Sequence, residues 1–132
     1  MMQILIDEKI KALDATCQQL VKLEEVLHVG VINRLGNLIA GDTKKGSLAF
    51  LDNEQLRMVY MQLQLDFQMR KELDDILGPI DYIASRRKNL LVISVPIGEN
   101  LVLITAEPNA DDKRIIKRAE ELFDDITITT VP

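Results

Sequence analysis

Between Asp52 and Leu77 the chain carries apolar residues on two opposite sides of a single helical projection. At about 100° per residue, Leu56, Val59, Tyr60, Leu63 and Phe67 share one side, whereas Met58, Met61, Leu65, Met69 and Ile76 fall opposite. Arg57, Gln62, Gln64, Asp66, Gln68 and Lys71 fill the seams. A helix that is apolar on two sides is either sunk in a large core or shared with a second molecule. Each opposite-face side chain contributes roughly 1.5 to 3 kcal/mol on full burial, so leaving four of them wet forfeits on the order of 6 kcal/mol. A whole domain is stable by only about 5 to 15 kcal/mol. The pattern therefore predicts an interface on Met58, Met61, Leu65, Met69 and Ile76, with a first or last helix folded over the stripe as the competing arrangement.

The remaining periods predict the other elements. From Ile4 to Glu25, Ile6, Ile10, Leu13, Cys17 and Leu20 recur at steps of four and three, one face of an amphipathic helix. The period then shortens. Val26 to Arg34 is β-branched and roughly alternating, Leu35-Gly36 supplies a tight reversal, and Asn37 to Gly41 gives a second strand. Asp52 or Asn53 can cap the long helix, which Gly78-Pro79 ends. Ile80 to Ser85 reads as a strand and Arg86 to Asn89 as a polar turn; Leu90 to Ile97 and Leu101 to Ala106 are nearly continuous apolar runs suited to central strands. Pro108-Asn109 opens a last helix with Asp111 and Asp112 in its first turn and Ile115, Ile116, Ala119, Leu122 and Phe123 on its core face. Residues 1–125 form one domain in this reading. Residues 126–132 alternate weakly, as an extra edge strand or a disordered tail would.

Composition narrows the function more than it specifies it. The 132 residues, 47% hydrophobic and 28% charged, suffice for one domain with a genuine core. A net charge of −5 argues against nucleic acid, whose phosphates need a concentrated basic face. No apolar run reaches the roughly 18 residues of a membrane span. The opening MMQILIDEKI is acidic by its seventh residue, unlike a secretory signal, and the single Cys17 asks for no oxidising compartment, so the cytoplasm is the expected location.

Chemistry is sparse. His28 is the only imidazole, with no second His and only a distant Cys to join it in a metal cluster or nucleophilic pair. It reads as structural, with a pocket-lining or pH-sensitive role as the alternative. Cys17 falls in the first helix's apolar seam. The pairs Glu24-Glu25, Asp74-Asp75, Glu120-Glu121 and Asp124-Asp125 point about 100° apart on a helix and read as solvated surface. The glycines lack the spacing of a phosphate loop. No catalytic residue, cofactor or metal is expected. Arg86, Arg87 and Lys88 form the one basic cluster, a solvated turn or a contact for an acidic partner, phosphate or lipid headgroup.

In element order and in two segments, VLHVGVINRLGNLIAGD (Val26 to Asp42) and Leu90 to Leu122, the chain resembles the roadblock family. That family includes a dynein light chain, Ragulator subunits and prokaryotic partners of small Ras-like GTPases; profilin-like, longin and PAS-like sheets share parts of the layout. The resemblance implies an α+β fold of order α-β-β-α-β-β-β-α, a five-stranded antiparallel sheet with the first and third helices on one face and the second on the other. It also implies a dimer in which second helices pair and the following strand, carrying Ile83, meets its counterpart. The length of the second helix, the Arg86 to Lys88 turn and the tail depart from the family. The function expected is a non-enzymatic homodimeric scaffold or regulatory module docking another protein, such as a small Ras-like GTPase; a heterodimer with a paralogue stays open. The alternative is a PAS-like sensor holding a small molecule between sheet and helix, with an apolar cavity of a few hundred Å³ and His28 or Tyr82 as polar contact.

Overall fold

Alternating and 3.6-residue periods resolve into one sheet with helices on both faces. The structure, a computed structural model, describes residues 2–47 and 51–130. In chain order the elements are α1 (Met2–Val21), β1 (Val26–Ile32), β2 (Leu38–Thr43), α2 (Asn53–Lys71), α3 (Asp74–Leu77), β3 (Ile83–Arg86), β4 (Leu91–Ile97), β5 (Asn100–Ala106) and α4 (Asp112–Thr130). The strands lie in the order β2-β1-β5-β4-β3, every neighbouring pair antiparallel. This is the α+β arrangement that the roadblock resemblance implies, with a one-turn helix added after α2.

Local chemistry sets the boundaries. The Asp52 carboxylate accepts a hydrogen bond from the Gln55 amide at 2.7 Å, and the Gln55 side chain accepts one from the Asp52 amide at 3.0 Å, a reciprocal cap that starts α2. In the β1–β2 turn, Gly36 sits at φ +81°, and a Cβ there would lie 3.2 Å from the Met61 Cα, so the turn rests directly on α2. Asp111 opens α4 by accepting a hydrogen bond from the Arg114 amide at 3.2 Å.

Strand alternation divides the core. Val29 and Val31 of β1, Leu91, Ile93 and Val95 of β4, and Val102 and Ile104 of β5 face α1 and α4, where Leu13, Cys17, Leu20, Ile115 and Phe123 close over them. Ile32, Leu101 and Leu103 face α2 instead and meet Tyr60 and Phe67.

The ends of α1, β1, β2 and α4 shift by one to four residues from the sequence reading, and four differences reach further. The expected long helix is broken: the Glu72 and Leu73 amides bond back three residues, tightening the last turn, and Ile76 falls on α3. The strand after it is Ile83–Arg86 and not Ile80 to Ser85; continuing the register would set Asp81 opposite Pro96, which has no amide to offer the ladder. Ile6 is exposed, because about 30 Å of α1 overhangs strands of about 23 Å, and burial begins in earnest at Leu13. Finally, α4 runs on to Thr130, where alternation suggested an edge strand; in the sequence, Ala119, Leu122, Phe123 and Ile126 recur at helical spacing into that stretch. The last two residues of the tail, 131–132, lie outside the described residues. No described helix is long and apolar enough to cross a membrane.

Candidate functional site

The outer face of α2 carries the predicted stripe. Met58, Met61, Leu65 and Met69 are exposed, 47 to 71% of each in solvent. No described helix covers them, so the competing arrangement does not form. The apolar surface continues onto α3 through Leu73, Ile76 and Leu77, all exposed. Sequence reasoning missed Leu73 and Leu77: an unbroken helix turns Leu77 to the side of Val59, whereas Leu73, only about 40° from Met69, was within reach of the stripe. Ile83 lies at the sheet edge, half-buried among the side chains beneath α2.

The two sheet edges differ. At β2, the Asp14 carboxylate of α1 accepts a hydrogen bond from the Gly41 amide at 2.9 Å. At β3, the strand backbone takes no side-chain hydrogen bond among the described residues. An open strand edge is a template for pairing with another chain.

The predicted basic cluster is divided. Arg86 is the last residue of β3, and its guanidinium donates to the Pro108 carbonyl and, at 3.0 Å, to the Ala110 carbonyl, 3.6 Å from the Asp112 carboxylate. It pins the sheet to the start of α4. Arg87 and Lys88 stay in the β3–β4 turn, exposed, with no ion pair among the described residues.

His28 joins three elements. It is 2% exposed, and its ring contacts the Thr43 hydroxyl of β2 at 2.6 Å through Nδ1 and the Tyr60 hydroxyl of α2 at 3.0 Å through Nε2. A neutral ring offers one donor and one acceptor and so serves both hydroxyls. Burial pushes His28 down to about 4, against the opposing pull of Asp42, and pushes the Tyr60 phenol up to about 12. The relay anchors α2 on the sheet. A second anchor is Gln64, buried where the helical projection put it in a seam, whose side chain donates to the Asn33 carbonyl at 2.8 Å. Cys17 is fully buried, and desolvation lifts its thiol to about 12, which keeps it inert as a nucleophile.

Toward β3 the α2 layer opens into a cavity of about 450 Å³. Leu56, Val59, Leu63 and Val92 form its apolar walls, Gln62, Ser85 and Asn89 add polar groups to the lining, and the exposed Arg87 and Lys88 stand on its rim. At its floor is Thr105 of β5, 1% exposed, whose hydroxyl bonds to no described group. The cavity has the size expected for a sensor, but neither polar contact expected for it takes part. His28 is fully engaged in its relay, and Tyr82 lies on another surface groove with Ile80, Pro96 and Glu120. Thr105 and Gln64 were legible only as single polar residues inside apolar patterns.

A family profile described as "Family of unknown function (DUF6659)" matches residues 5–126. The chain belongs to that family. No curated protein matches it. Solved structures resemble this member of DUF6659 over most of their length. The Roadblock/LC7 domain from Streptomyces avermitilis is 11% identical with a TM-score of 0.71, over 89% of this chain and 96% of that one. The gliding protein mglB from Thermus thermophilus is 14% identical with a TM-score of 0.72, over 92% of each chain. Profilin from Schizosaccharomyces pombe is 13% identical with a TM-score of 0.63, over 89% of this chain and 98% of that one. These likenesses establish a roadblock/profilin-like fold.

Proposed function

We propose that this DUF6659 chain is a non-catalytic, cytoplasmic homodimeric module that docks a second protein, a small Ras-like GTPase in the reading that the roadblock resemblance favours. The observation that carries the dimer is the exposed stripe of Met58, Met61, Leu65 and Met69 beside the open β3 edge that carries Ile83. A second copy suits this surface. A twofold axis between Met61 and Leu65 lays each stripe antiparallel on its copy. The exposed α3 residue Ile76 extends the same apolar surface, while Arg87 and Lys88 remain available to a docked protein and Arg86 keeps its structural contacts. The non-catalytic reading rests on a His28 saturated by two hydroxyls and a Cys17 sealed in the core. DUF6659 residues 1–125 act in this reading as one domain, with 126–132 as its extension.

Sedimentation velocity of the parent and of the Met61→Asp/Leu65→Asp double variant tests the dimer. The expected result is twice the chain mass for the parent and the single-chain mass for the variant, with unchanged circular dichroism. Equal masses for the two proteins would remove the stripe from the interface. A nucleotide-loaded small GTPase identified with the parent and lost with the variant extends the result to the docked partner.

A further inference from the structure

Among the described residues, a floor hydroxyl without a partner and two rim cations without counter-ions stand at opposite ends of an apolar cleft. Thr105 is on the central strand, opposite Val92 of β4 and His28 of β1, and its side chain rises into the space under α2. Buried hydroxyls ordinarily find a hydrogen-bond partner, and its cross-strand neighbour His28 is already occupied by the Tyr60 and Thr43 hydroxyls. The walls, Leu56, Val59, Leu63 and Val92, are apolar and half-buried. The volume, about 450 Å³, falls within the range of small-molecule sites.

We propose that this cavity binds a small amphipathic carboxylate: an apolar body between α2 and the sheet, its carboxylate at Arg87 and Lys88, and a hydrogen-bonding atom at the far end of the body that meets the Thr105 hydroxyl. The site is separate from the α2 stripe, which lies on the opposite side of the same helix, and it stands or falls independently of the dimer. Binding would fasten the β3–β4 turn to the start of α2, next to the β3 edge.

The test uses three probes of similar shape with the full chain, read by calorimetry and by amide chemical shifts. Indole-3-acetate carries both polar ends, naphthalene-1-acetate lacks the far N–H, and tryptamine replaces the carboxylate with a cation. The expected result is saturable one-site binding of indole-3-acetate, with shifts at Val59, Val92 and Thr105. Naphthalene-1-acetate should bind about tenfold more weakly, one hydrogen bond's worth, and tryptamine more weakly still. Arg87→Glu/Lys88→Glu, both exposed and so harmless to folding, should weaken indole-3-acetate at least about tenfold. Thr105→Val should make the two acids bind alike. Met61→Asp/Leu65→Asp should leave binding unchanged. The proposal is overturned if millimolar indole-3-acetate shifts no cavity residue, if shifts are confined to the stripe, or if binding ignores charge at 87 and 88.

Discussion

On one face of the sheet two helices lie over the strands, and on the other face there is one. Five strands about 4.8 Å apart span roughly 24 Å, while a helix with its side chains is about 10 to 12 Å across. The pair α1 and α4 therefore closes its face, and Cys17, Leu20, Val29, Ile93, Ile104 and Ala119 are all fully excluded from water. Alone, α2 cannot close the other. It is fixed over β1 and β5 by the His28–Tyr60 and Gln64–Asn33 bonds, and the sheet beyond it toward β3 is left with a cavity and an open edge. The closed face is stable on its own account; the incomplete face holds the polar groups and apolar surface that ask for something from outside.

This contrast can be broken most directly at Phe123, fully buried under the closed face. Phe123→Ala should cost about 3 to 5 kcal/mol in urea denaturation. A loss below about 1 kcal/mol would mean that the two-helix layer does not dominate stability. The next effect belongs to the α2 face and depends on pH. With His28 held at about 4 in the folded chain and 6.5 as its ordinary value, the unfolded chain takes up a proton that the folded chain refuses. Stability should therefore be level above pH 6.5 and fall as pH drops toward 4, by up to about 3 kcal/mol. Denaturation at pH 7 and 4.5, compared with His28→Gln to subtract the carboxylates, measures it; identical slopes for both proteins would show that the ring carries no such linkage. The smallest effect has the opposite sign. Thr105→Val removes an unpartnered buried hydroxyl and should raise the unfolding free energy of the ligand-free chain by about 1 kcal/mol, whereas trimming any side chain on the closed face lowers it.

Legibility in the sequence followed the same division. Leu13, Cys17 and Leu20 in α1, Ile115, Ala119 and Phe123 in α4, and the apolar runs of β4 and β5 announce the closed face, because packing there repeats the helical and strand periods wherever helix and sheet overlap. The stripe of α2 was equally plain, since its residues recur at helical spacing whether or not anything covers them. The break at Glu72, the transfer of Ile76 to α3 and the recruitment of Arg86 to the Pro108 and Ala110 carbonyls were not, because each depends on what the neighbouring segment offers.

The order of residues alone thus decided the five strands and three long helices, their sequence along the chain, and which helix has an apolar side to spare, all of which follow from spacing within one segment. Tertiary structure alone decided that His28 is silenced between Thr43 and Tyr60, that Thr105 is stranded beneath α2, and that Arg87 and Lys88 overlook the same cleft. Those relations join residues 15 or more positions apart, and they are brought within reach by the β1–β2 pairing, by the seating of α2 on the sheet and by the pairing of β5 with β4.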